Sequence, residues 1–157
     1  SDLDGPTVLC GFNTLFNLGS AQELDRLLGS IGAMGASLIV EMMNVDLLPD
    51  EPFHSTDVAP FPVDDGVIVS ATSVDMSRRM LAGRHLEITD RGVVCRPWLL
   101  HLTGRHELDE RAGRFGLTVT ERYRSWTAEP FDEADRSSIS VYRPESSQPM
   151  PATDPGR

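Results

Sequence analysis

Lysine is missing from this 157-residue chain: all 14 basic residues are arginine, set against 24 acids for a net charge of −10. The shortage of positive charge is local. The first 77 residues hold one arginine, Arg26, and twelve acids, whereas residues 78–157 hold thirteen arginines and twelve acids. A nonspecific nucleic-acid binder needs a basic footprint to displace counterions from phosphate, and here it amounts to short pairs such as Arg78-Arg79. Neither nucleic acid nor an anionic membrane is therefore an expected partner. Arginine without lysine, with abundant Ala, Gly and Asp, suggests a GC-rich genome, which bears on source and not on activity. Cysteine is scarce: Cys10 and Cys95 lie in separate apolar runs and read as buried free thiols rather than a disulfide. Nothing has zinc-site spacing, since His106-Glu107 lacks the second histidine of a His-Glu-x-x-His motif. No apolar stretch approaches the ~20 residues of a membrane helix, and Ser1-Asp2-Leu3-Asp4-Gly5 is acidic rather than signal-like. A single cytoplasmic domain is expected.

The absence with most bearing on function is a glycine loop. No Gly-x-Gly-x-x-Gly follows a strand, and no acid ends a second strand about 20 residues later. Gly29, Gly32 and Gly35 fall at the end of a helical pattern and read as helix-ending glycines.

What is present begins with strand, loop, helix, strand. Thr7 to Phe12 and Ser37 to Met42 are short apolar runs suited to buried parallel strands. Between them Ser20 and Glu23 form a capping box, and Leu24, Leu27, Leu28 and Ile31 repeat at helical spacing. Residues 45–63, with Pro49, Pro52, Pro60 and Pro62, read as a loop. Val67 to Val74, Arg84 to Thr89 and Val93 to Leu102 read as a three-strand antiparallel meander, with 75–83 a connection, Asp90-Arg91-Gly92 a hairpin turn and Pro97 marking an edge strand. A last helix follows, with Thr103 the expected cap, Glu107–Arg111 and Glu110–Arg114 pairs on its wet face and Leu108, Ala112 and Phe115 on its core face. Leu117 to Trp126 then pairs with Ser138 to Tyr142, and the Pro-rich residues 145–157 read as a disordered tail.

The phrase Phe12-Asn13-Thr14-Leu15-Phe16-Asn17-Leu18, its helix and Ser37-Leu38-Ile39-Val40-Glu41 together resemble the fourth strand, fourth helix and fifth strand of class I S-adenosylmethionine (SAM)-dependent methyltransferases. The similarity is to a small-molecule group common in actinomycetes. His106 to Val119 is similar to that family's last helix and sixth strand, and Tyr123 to Arg143 to its closing hairpin. Two departures stand out: Pro-Gly-Gly before the fifth strand is here Met34-Gly35-Ala36, and the cofactor-cradling half has no counterpart. The resemblance implies an α/β fold: a partial Rossmann-like methyltransferase sheet over 1–144, a β-meander insertion at 64–103 over the active site, and a C-terminal antiparallel hairpin. It implies SAM-dependent methyl transfer to a small-molecule acceptor, with SAM bound only beside a complementing N-terminal half. It also makes the 45–63 segment a candidate lid. The isolated chain is expected to be inactive, and a complementing chain or a homo-oligomer is the expected partner. The alternatives are a noncatalytic partner subunit or remnant, and a free-standing small-ligand binding domain.

The candidate cofactor-binding residues are Phe12, Asn13, Thr14, Phe16 and Asn17. A side-chain amide and an aromatic edge at the carboxyl end of a strand suit the methionine and adenosine parts of the cofactor; equally, the asparagines could cap a turn and the phenylalanines fill the core. Methyl transfer from a sulfonium needs in-line approach and a base for the nucleophile's proton, and His54 and His101 are the candidates for that base. Trp98, Trp126, Tyr123 and Met42-Met43 could line an acceptor pocket or simply pack. No metal is expected.

Overall fold

In the computed structural model, which describes residues 5–60 and 66–145, two four-stranded sheets share one core. Ten regular elements follow in order: β1 (Thr7–Cys10), α1 (Ala21–Ala33), β2 (Ser37–Met43), β3 (Phe53–Pro60), β4 (Val67–Asp75), β5 (Met80–Thr89), β6 (Gly92–His101), α2 (Arg105–Arg114), β7 (Leu117–Tyr123) and β8 (Ser137–Pro144). The first sheet runs β1-β2-β8-β7 and the second β3-β4-β5-β6.

α1 connects two parallel strands, Val8 opposite Leu38 and Cys10 opposite Val40. Its amino end is capped as the sequence indicates, with Ser20 Oγ accepting from Glu23 N at 3.3 Å. The Glu23 carboxylate, however, takes the N–H of Gly19 at 2.6 Å, one residue before its expected partner. Leu24, Leu28 and Ile31 are buried against Leu38, Val40 and Met42 of β2 and against Leu108 and Ala112 of α2. Both helices thus cover the same sheet face. Each such buried leucine contributes about 1.5–3 kcal/mol relative to exposure. Gly35, at φ +59°, is the left-handed exit. Gly32 is not an exit: it lies inside α1, where a Cβ would stand 2.3 Å from the carbonyl oxygen of Phe115.

β8 joins β2 antiparallel, and β7 completes the sheet with a bulge between Val119 and Glu121. On the helix side of β8, Tyr142 is fully buried and donates its hydroxyl to Asp109 at 2.7 Å. Asp109 also accepts from Arg122 at 2.8 Å. Burial first, and the Asp109 charge second, push the Tyr142 hydroxyl well above the ordinary phenol range.

Several expectations from the sequence need correction. The first strand ends at Cys10, not Phe12, because Phe12 and Asn13 turn left-handed at φ 52° and 59°. The 45–63 loop contains a 3-10 turn at Val45–Leu47 and the strand β3, so the meander has four strands and the antiparallel sheet starts ahead of residue 64. Pro52 precedes β3 and Pro60 ends it, positions at which an edge strand tolerates proline; residues 61–63 lie outside the described residues. β5 begins at Met80, shortening the 75–83 connection to a tight turn. Pro97 lies in β6, an edge strand, as read. Gly104 rather than Thr103 caps α2, whose Glu107–Arg111 pair forms at 3.0 Å. Cys95 is exposed on β6 and Cys10 is half-buried, so only one thiol approaches the burial expected of both. The tail beyond residue 145 lies outside the described residues. Among the described residues no helix is long and apolar enough to cross a membrane.

Among the described residues β1 pairs only with β2, and Leu9 on its far side is 60% exposed. An unpaired apolar edge recruits other strands. Sedimentation velocity is therefore expected to find dimers or larger species, and a clean monomer at high protein concentration would show that the edge is protected.

Candidate functional site

In an open α/β sheet, ligands bind outside the carboxyl ends of the parallel strands. Here those are the ends of β1 and β2. β1 leaves the sheet through Gly11, Phe12 and Asn13, and two consecutive non-glycine residues at positive φ are an outlier for a chain of L-residues. Three contacts to β2 hold them. Phe12 N donates to Glu41 Oε2 at 2.8 Å, Asn13 N to the Glu41 carbonyl at 3.2 Å, and Met43 N donates to Asn13 Oδ1 at 2.6 Å.

This strained turn thrusts the Phe12 ring into solvent, 90% exposed, while the Phe12 backbone N–H holds the Glu41 carboxylate. Backbone strain of this kind concentrates where surrounding structure over-determines a functional geometry. Phe12, Asn13 and Glu41 are thereby brought together. The remaining residues of the phrase do other things. Thr14 Oγ1 donates to the Gly11 carbonyl at 2.5 Å, tying the short turn Thr14–Asn17 to the end of β1, and Asn17 Nδ2 donates to the Thr14 carbonyl at 3.2 Å within the turn. Phe16 is fully buried in the core. Burial pushes the neighbouring Cys10 thiol up, away from the reactive thiolate.

The two histidine candidates lie in different cavities, one on the antiparallel sheet and one between it and the start of α1. His54, on β3, is exposed and borders a groove of about 310 Å³ with Thr56, Ala71 and Arg84. His101, at the end of β6, lines a cavity of about 160 Å³ with Leu15, Ser20, Arg79 and Glu107. Among the described residues no three His, Cys, Asp or Glu side chains gather closely enough to hold a metal ion.

Glu41 and Asn44 were not singled out as site residues from the sequence. Glu41 is the lone acid in the apolar run Ser37–Met43, which is the signal that could have found it. Asn44 is buried at the end of β2 and fastens the β7–β8 loop there, its Nδ2 donating to the carbonyls of Glu133 at 2.9 Å and Asp135 at 3.1 Å. That role has no local sequence signal, because its partners are some 90 residues away.

No family model and no curated protein sequence matches the chain. Solved structures do match its fold. The methyltransferase CcbJ from Streptomyces caelestis superposes with a TM-score of 0.74 at 25% identity, over 88% of this chain and 60% of that one. A SAM-dependent methyltransferase from Clostridium acetobutylicum ATCC 824 gives 0.67 at 6% identity, over 91% and 60%. CalS10, an amino pentose methyltransferase from Micromonospora echinaspora, gives 0.60 at 18% identity, over 91% and 61%. The chain spans about 60% of the length of the solved proteins it matches. With β1, α1 and β2 forming a parallel crossover and β7 and β8 an antiparallel close, the chain carries the class I SAM-dependent methyltransferase fold.

Proposed function

We propose that the chain serves SAM-dependent methyl transfer to a small-molecule acceptor, with the end of β1 forming one flank of the cofactor site and the glycine-rich flank coming from other polypeptide. One observation carries this reading. The turn at Phe12–Asn13 is strained, ligand-facing by its place in the sheet, and sits on a strand whose other edge has no partner among the described residues.

The residues present suit one side of such a cofactor. The exposed Phe12 ring offers a π face and the adjacent Glu41 carboxylate a negative charge, both favourable to a cationic sulfonium and an adenine. Asn13 keeps its amide nitrogen for a ligand, since its oxygen is engaged by Met43 N. Bound SAM would supply an electrophilic methyl group; the contribution of this chain would be to orient the cofactor and to hold the acceptor in line. His54 borders a groove on the antiparallel sheet, whereas His101 shares its cavity with Leu15 and Ser20 beside the start of α1, so the two would act as base toward acceptors held in different places. The open sheet edge supports a complementing chain as partner, and an apolar sheet face opposite the helices, with Trp126 56% exposed, supports the same reading.

Calorimetric titration with S-adenosylhomocysteine tests the proposal. The chain alone is expected to bind it more weakly than micromolar, because no glycine loop or ribose-binding acid is present in the sequence. Micromolar or tighter binding by the chain alone would overturn the idea that the site is completed from elsewhere.

A further inference from the structure

A cavity of about 460 Å³ opens at the carboxyl end of β2, lined by Met43, Asn44, Leu47, Leu48 and Arg136. Its volume falls in the range of small-molecule sites, and its walls combine apolar side chains with one fixed polar group and one cation, the usual make-up of such sites. Leu47 is 49% exposed at the cavity, where an apolar side chain gains only when something covers it.

Arg136 is set in place by buried groups on two sides. Asn44, 6% exposed, donates its backbone N–H to the Arg136 carbonyl at 2.8 Å, and its amide holds Glu133 and Asp135. From the other side Arg105, 3% exposed at the start of α2, pairs with the Glu133 carboxylate and lies 4.6 Å over the Phe131 ring. The nearby acids are thereby occupied. Glu133 and Asp46 face Arg105, and Asp135 Oδ2 accepts from Asp132 N at 2.7 Å. Among the described residues no carboxylate pairs with Arg136, although the chain carries an excess of ten negative charges.

An anchored loop that presents an unengaged guanidinium to an apolar cavity discriminates by charge. A cationic ligand would be repelled and a neutral one would leave the guanidinium to water. A carboxylate matches its planar fork with two parallel hydrogen bonds. We propose that this cavity binds a small molecule with an apolar body and a single carboxylate, the body against Met43, Leu47 and Leu48 and the carboxylate on Arg136. Resting on the methyl-transfer reading, that molecule is the acceptor.

The test needs no cofactor. The chain is titrated at low salt with 3-phenylpropionate, 3-phenylpropionamide and 3-phenylpropylamine, followed by backbone amide shifts at residues 43–48 and 136. The carboxylate is expected to bind about ten-fold more tightly than the amide, and the amine more weakly than either. Arg136→Gln should bring the carboxylate down to the level of the amide and leave the amide unchanged; the side chain is exposed, so the variant should fold. Leu47→Asp should weaken both. Equal affinity for carboxylate and amide, retention of the preference in Arg136→Gln, or no binding of either at millimolar concentration would each overturn the proposal. Because SAM is absent from the tube, such a failure would leave the methyl-transfer reading standing, and failure of the S-adenosylhomocysteine titration would leave this result standing.

Discussion

Gly32→Ala is expected to destabilise the chain by about 3 kcal/mol, the upper part of the overpacking range, although alanine is the better helix former. The two effects oppose each other and their sizes decide the sign. Removing glycine from a helix interior gains about 0.5–1 kcal/mol. Here the added methyl would stand 2.3 Å from the Phe115 carbonyl oxygen, a backbone atom at the end of α2 that cannot swing aside as a side chain does. α1 and α2 would have to separate, loosening Leu28 and Leu108, both fully buried. Gly113→Ala is the matched control: it is also helical, nothing lies within 4 Å of its Cβ position, and it should stabilise by about 0.5 kcal/mol. Urea denaturation of the two variants against the parent measures both. A neutral or stabilising Gly32→Ala would mean that the helices are not packed as closely as described.

Asn13→Ala is expected to cost about 2–4 kcal/mol, from two sources. It deprives the part-buried N–H of Met43 of its acceptor, a loss of about 1–3 kcal/mol. It also puts alanine at φ 59°, where asparagine is tolerated and alanine is not, for about another 1 kcal/mol. Asn13→Gly separates the terms, since it restores the backbone freedom without the hydrogen bond and should recover the second share. If Asn13→Ala unfolds at the parent's denaturant concentration, the Asn13–Met43 tie contributes nothing and the turn is held by Glu41 alone.

The parts of the fold that were legible in the sequence are those in which local pattern and tertiary burial agree. Leu24, Leu28 and Ile31 repeat at helical spacing and are buried; Ser37 to Met43 is apolar and lies inside the sheet; Leu108 and Ala112 mark the core face of α2. The errors arose where one residue type serves two physical ends. A glycine that ends a helix and one that admits a neighbouring backbone look alike in sequence, and Gly35 proved the first and Gly32 the second. Prolines spoke correctly against an α-helix in 45–60 but could not reveal that the segment between Pro52 and Pro60 is an edge strand, because its partner β4 is what makes it one. Phe12 continued an apolar run and so was read as strand, while the force that turns it out comes from Glu41, distant in sequence. Phe12 and Asn13 were read from the sequence as lying where the first strand ends, and the structure puts them in the turn after β1. Arg136 follows Asp132, Glu133 and Asp135, where no local pattern marks it, and only the fastening of that run to Asn44 gives it a fixed place.

The antiparallel sheet leaves the rest of the chain and returns to it at nearly the same point. A Cβ on Gly104, just after β6, would stand 3.6 Å from Asp46 and 3.9 Å from Val45, just after β2. Some 55 residues thus depart and come back through a gate a few ångströms wide. Pairing Leu38 with Tyr142 then closes a loop whose length hardly matters once the meander has formed, because closure entropy rises only as the logarithm of length, by about 0.6 kcal/mol per doubling. The meander is in this sense a cassette. Its strands can be lengthened, exchanged or reshaped at little cost to the β2–β8 pairing, provided that Val74, Leu81 and Leu102 keep their places in the common core. Adjacent ends of this kind give a lineage a means of rebuilding the antiparallel sheet while leaving intact the sheet on which it is mounted.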